Sequence, residues 1–140
     1  MKRTLFGIVA LLVVVSLLLV ACGTKEPDVS GETVVIFSAA GEEQAVVLEK
    51  NFVDFEERTG IDVVIERSGD FETLAVVRSE AGDPYDILNF PQPGLMADMA
   101  RDGFLVDLGE FLDDDYMLEQ YSQSWIDLGT VDGKLAGVWH

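Results

Sequence analysis

The chain has 140 residues, with 26 aspartates and glutamates against 9 lysines and arginines and a formal charge of −17. So acidic a surface repels phosphate backbones and anionic head groups, which argues against nucleic acid as a partner. The single cysteine, Cys22, leaves no internal disulfide to form, and the single histidine, His140, removes most histidine-based metal and triad chemistry.

Met1-Lys2-Arg3 makes a positive start, and Leu5 to Val20 is an apolar core broken only by Gly7 and Ser16. Small Ala21 then precedes Cys22, which is the layout of an export signal. The rival reading is an uncleaved membrane helix, since the run lies near the lower limit for spanning. A buried structural cysteine is a third reading, but it leaves the position of Cys22 unexplained. Leu19-Val20-Ala21-Cys22 resembles the lipobox of bacterial lipoproteins. That resemblance implies removal of residues 1–21 and acylation of Cys22, and two acyl chains suffice for a stable membrane anchor. Cutting there also removes Lys2 and Arg3, which leaves 119 residues with 7 bases against 26 acids and a formal charge of −19. That length suits one compact domain and falls short of two.

Residues 22–32 form a polar tether, with Pro27, Ser30 and Gly31 and no apolar periodicity. From Thr33 onward, β-rich runs alternate with helical ones. Thr33 to Ser38 is a continuous β-branched stretch, as in a strand covered on both faces. Glu42 to Arg58 reads as a helix with Ala45, Leu48, Phe52 and Phe55 at helical spacing, acids at its start and Gly60 beyond its end. A second strand follows over Ile61 to Glu66, and a second helix over Phe71 to Glu80 with Asp70 as its N-cap. The turn Gly82-Asp83-Pro84 leads into a third strand, Tyr85 to Phe90. After Pro91-Gln92-Pro93-Gly94 a third helix runs from Leu95 to Arg101 and stops at Gly103. Three strand–helix units in succession predict an α/β fold with a parallel sheet and right-handed crossovers.

Beyond Phe104 the pattern loosens. Leu105 to Leu112 reads as turn-rich and Asp115 to Tyr121 as a short helix. Val131-Asp132-Gly133-Lys134 reads as a hairpin turn into a last strand, Leu135 to Trp139. A strand pattern that runs into the final residues leads to the expectation that the chain is the front part of a longer protein.

In an open α/β sheet, ligands bind beyond the carboxyl ends of the strands. Ser38-Ala39-Ala40-Gly41, Ser68-Gly69-Asp70-Phe71 and Phe90-Pro91-Gln92-Pro93-Gly94 occupy that edge. Their small residues let a ligand approach backbone amides at the starts of helices. Asp70 can accept two hydroxyl hydrogen bonds, Gln92 can donate and accept, and Phe71, Phe90 or Trp139 can cover an apolar sugar face. The predicted ligand residues are therefore Ser38, Ala39, Gly69, Asp70, Phe71, Phe90, Gln92 and Trp139. Three of them also have a structural alternative: Asp70 as a cap alone, and Phe71 and Phe90 as core. The run Asp113-Asp114-Asp115 lacks the spaced oxygens, glycine and glutamate of a calcium loop and reads as a solvated turn. With no nucleophile elbow, phosphate loop or zinc pattern, neither an enzyme nor a cofactor is expected.

Thr59-Gly60-Ile61-Asp62-Val63, the stretch Ser68 to Thr73 and Pro84-Tyr85-Asp86-Ile87 carry a family resemblance. So do the Phe90 to Gly94 turn, Gly103 to Leu108 and Gly133 to Val138. Over nearly all of residues 33–139 the chain resembles the first lobe of family 1 extracellular solute-binding proteins of ABC importers, the alpha-glucoside and oligosaccharide binders in particular. The resemblance implies a class II periplasmic-binding-protein-like lobe and a monomeric receptor that hands a neutral sugar to permease subunits. The family usually places a proline and an aromatic after the Gly-Val pair, where this chain has Trp139-His140. It also closes two lobes about its sugar, and only the first matches here. Two further readings remain: the same lobe as a sensory input, and a surface glycosidase on an α/β scaffold.

Overall fold

The computed structural model describes residues 28–139. The export signal and Cys22 lie outside the described residues. The elements in order are β1 (Thr33–Ser38), α1 (Glu42–Thr59), β2 (Asp62–Arg67), α2 (Phe71–Glu80), β3 (Ile87–Asn89) and α3 (Pro93–Arg101). A short 3-10 turn (Leu108–Glu110), α4 (Asp114–Gln120), α5 (Gln123–Gly129), β4 (Thr130–Val131) and β5 (Lys134–Leu135) follow.

The first three strands form a parallel sheet in the order β2-β1-β3. β1 is central because it is the most continuous apolar run, and its end, Ile36-Phe37-Ser38, is fully buried. Successive residues point to opposite faces of a strand. Phe37 therefore meets Phe71 and Ala75 of α2 and Met99 of α3 on one face, while α1 covers the face that carries Ser38. The aromatic core is a stack: Tyr85 lies parallel to Phe37 at 4.1 Å, Phe71 stacks on Phe37 at 5.0 Å, and Phe90 meets Phe71 edge-on at 5.8 Å. Arg78 closes the outer end, 4.1 Å over the Tyr85 ring and 2.7 Å from the Asp83 carboxylate. The Tyr85 hydroxyl chiefly, with Asp83, raises the Arg78 pKa.

Local chemistry sets the element ends. Gln44 Oε1 accepts from the Gly41 N–H at the start of α1, where Glu42 and Glu43 complement the helix dipole. Gly60, at φ +73°, takes the left-handed conformation that ends α1. Glu56 then reaches past that turn to accept from Val63 N–H, which ties α1 to β2. β3 is shorter than the predicted Tyr85 to Phe90 strand. Tyr85 is engaged in the stack, and the Asp86 carboxylate, rather than a backbone carbonyl, accepts from Val35 N–H at 2.9 Å. α3 starts two residues before its predicted start because Pro93, with its φ preset, occupies the first turn.

The C-terminal part departs further from expectation. α5 was not anticipated, and of the predicted strand Leu135 to Trp139 only Leu135, with Lys134 before it, pairs. The chain leaves the hairpin at Ala136 and Gly137, whose N–H groups both donate to the Gly129 carbonyl. A Cβ on Gly129 would run into the Gly137 carbonyl oxygen, so this crossing needs glycine. Asp107 anchors the hairpin, accepting from Gly109 N–H at 3.0 Å and from Leu135 N–H at 3.1 Å.

Candidate ligand cleft at the sheet edge

The chain order places β2 on one side of β1 and β3 on the other. Strand connections therefore diverge on either side of β1, and the crevice beyond the carboxyl ends of β1 and β3 is a topological switch point, where open α/β sheets take ligands. A cleft of about 470 Å³ opens there. Ser38, Ala39 and Ala40 form its floor, Asn89, Phe90 and Pro91 one wall, and Gln44, Val47, Leu48 and Asn51 of α1 the other. A second cleft of about 520 Å³ lies beyond β1 and β2, against Ala39, Ala40, Gly41, Ile65, Arg67, Ser68 and Gly69. The two share Ala39 and Ala40, whose small methyl side chains leave room for a ligand near the backbone.

Of the predicted residues, Ser38, Ala39 and Phe90 line the first cleft and Gly69, with Ala39, the second. Ser38 is 1% exposed, and its hydroxyl oxygen accepts from Ala40 N–H at 3.1 Å and Asn89 Nδ2 at 3.2 Å. It is thus part of the cleft's frame. Phe71, also 1% exposed, belongs to the core and not to a ligand platform, because α2 begins there and turns the ring onto Phe37. Asp70 occupies the N-cap position, but its carboxylate makes no cap hydrogen bond. Its N–H donates to Ser68 Oγ at 3.0 Å, and the exposed side chain stands beside the second cleft's Ser68-Gly69 rim. Gln92 is tied down, donating to Glu72 Oε1 at 2.9 Å. Trp139 lines neither cleft; its indole N–H is buried without a partner among the described residues.

Sequence reasoning missed Gln44, Asn51, Asn89 and Arg67. Gln44, Val47, Leu48 and Asn51 fall at i, i+3, i+4 and i+7, a mixed amide and apolar stripe that helical periodicity could have shown. Asn89 was hidden inside a stretch read as strand. Among the described residues, Arg67 is the only ionisable one lining either cleft. The β1/β3 cleft therefore combines primary amides, which both donate and accept, with an aromatic and aliphatic surface. Vicinal hydroxyls need such paired donors and acceptors, whereas a charged ligand would leave water without a counter-charge there.

Fold and cleft together define an α/β lobe with a candidate ligand site at its switch point. The chain belongs to the bacterial extracellular solute-binding protein family, whose model matches residues 38–135. It is 42% identical over 127 residues to the osmoprotective compounds-binding protein GgtB of Synechocystis sp., covering 88% of this chain and 30% of that protein. It is 36% identical over 112 residues to the alpha-glucosides-binding periplasmic protein AglE of Rhizobium meliloti, covering 79% of this chain and 24% of that one. The fold is similar to that of a cyclo/maltodextrin-binding protein solved with maltotetraose, at a TM-score of 0.61 and 21% identity over 81% of this chain and 28% of the other. The relatives are named as binding proteins, not enzymes, and this chain spans less than a third of each.

Proposed function

We propose that this chain forms the first lobe of an extracytoplasmic receptor that binds a neutral sugar, an α-glucoside or oligosaccharide, for delivery to an ABC permease. In this reading residues 1–21 are the lipoprotein signal, Cys22 carries the lipid anchor, residues 22–32 are the tether, and the binding lobe begins at residue 33. The observation that carries it is the cleft at the β1/β3 switch point, lined by amides and by no charged side chain among the described residues. The name of one curated relative, the alpha-glucosides-binding AglE, points to the same ligand class.

The test is calorimetric titration of the full-length gene product with maltose, trehalose and sucrose, with glucuronate as a charged control. Saturable binding of a neutral sugar, and none of glucuronate, is expected. No heat from any neutral sugar, or steady release from chromogenic glycosides, sinks the reading. Asp70 stands beside the second cleft, which shares Ala39 and Ala40 with the first. A sugar that spans both should lose affinity about ten- to a hundredfold in Asp70→Ala through lost charged hydrogen bonds. Affinity equal to the parent's would confine Asp70 to the helix start. Anchoring has its own test: Cys22→Ser should abolish labelling by a palmitate analogue and release the protein from the membrane fraction.

A further inference from the structure

We propose that Asn89 is a specificity-determining residue of the β1/β3 cleft, its side-chain carbonyl accepting a hydrogen bond from one sugar hydroxyl, with Ser38 as its positioning residue. The proposal rests on the sugar-binding reading above and adds to it which side chain reads the ligand. Asn89 is the last residue of β3 and pairs in register with Ser38, the last residue of β1. Both therefore stand at the switch point and on the same face of the sheet, the one α1 covers. The Asn89 amide is planar, and one Nδ2 hydrogen is donated to Ser38 Oγ at 3.2 Å, which sets the direction of Oδ1. Oδ1 accepts no hydrogen bond among the described residues, so it stands as the free acceptor for a ligand in the cleft Asn89 lines.

Ser38 is suited to hold it. It is buried at the end of the central strand, and the Ala40 N–H donates to the same hydroxyl, so Oγ is fixed from the other side. A free asparagine would lose rotamer entropy on binding and could turn either end of its amide to the ligand. Fixed as it is, Asn89 presents its Oδ1 acceptor in one set direction, with the second Nδ2 hydrogen beside it. A ligand with a hydroxyl at that point is matched, and one without leaves the acceptor dry and unpaired. Sites built this way discriminate more strongly than apolar pockets do.

The experiment compares the full-length parent with Asn89→Leu, Asn89→Asp and Ser38→Ala, titrated with trehalose, maltose and their monodeoxy analogues. The parent is expected to bind one deoxy analogue about tenfold more weakly than the intact sugar. Asn89→Leu should bind the intact sugar and that analogue alike. Asn89→Asp keeps an acceptor, and the Ser38 hydroxyl can rotate to donate to it, so discrimination should survive. Ser38→Ala should lower affinity several-fold in the parent and have no further effect in the Asn89→Leu background. Undiminished discrimination in Asn89→Leu overturns the proposal, as does its loss in a folded Asn89→Asp variant. An equal cost of Ser38→Ala in both backgrounds overturns the positioning role. A parent that binds none of the sugars overturns the sugar reading and this proposal together, whereas sugar binding indifferent to Asn89 overturns this one alone.

Discussion

Residues 33–104 and residues 105–139 are built by different means. In the first stretch three βα units share one face-to-face core, where Phe37, Phe71, Ala75 and Met99 are each 1% exposed. In the second, the helices are seven residues long and Phe111, Tyr116, Leu118, Trp125 and Leu128 remain exposed. Side chains bonded to backbone hold this part instead: Asp107 to the hairpin, and Asp113 across the first turn of α4. Buried apolar area scales with contact, whereas a cap contributes about 1 kcal/mol wherever it sits. The candidate cleft is built on the first kind of structure, which keeps its walls in place.

The contrast is broken most severely in the sheet. Phe71→Ala removes the middle of the aromatic stack and leaves a cavity between Phe37 and Phe90, with an expected loss of about 3–5 kcal/mol. Urea denaturation of the full-length protein measures it; a loss under about 1 kcal/mol would mean that the core repacks and that the stack is not its centre. Next comes a tight crossing of the C-terminal part. Gly129→Ala drives a methyl group against the Gly137 carbonyl and should cost about 1–3 kcal/mol by the same measurement. A neutral result would show that the hairpin exit shifts freely.

The same contrast governs what the sequence made legible. The three βα units could be read because continuous β-branched runs, helical stripes and the glycines at 60 and 103 all pointed the same way. α5 was hidden because Ser122-Gln123-Ser124-Trp125 carries no apolar stripe and seven residues span only two turns. The last strand was overread, since Ala136 and Gly137 bond to the Gly129 carbonyl and not to a strand. At the candidate cleft, topology placed Ser38, Ala39 and Phe90 at its edge. Which aromatic turns inward depends on tertiary packing, so Phe71 went to the core. The Asn89 amide depends on a register of β1 with β3 that no local pattern encodes.

Smaller perturbations test the capped half. Asp107→Ala strips the acceptor from both Gly109 and Leu135 N–H groups, and about 1–2 kcal/mol of stability should go with it. Hydrogen exchange should show the loss as faster opening of residues 130–135, with the amides of β1 unchanged. Uniform loss of protection in both halves would mean that they unfold as one unit and that the two-part description is wrong.

The least effect is expected from Arg101, although it sits at the junction of the halves. It reaches Asp98 on its own helix at 3.2 Å and Asp132 of the hairpin at 3.8 Å. Drawn as contacts, these look like a clasp. Yet the Arg101 side chain is 55% exposed and both carboxylates more so, and pairs so solvated contribute about 0–1 kcal/mol, less in salt. Arg101→Ala should therefore change stability by under about 0.5 kcal/mol in 0.15 M salt. A loss beyond 1 kcal/mol would make charge a third means of joining the halves, and it should then fade as salt is raised. A loss that persisted in 1 M salt would instead come from the packing of the arginine stem, and burial would extend across the junction.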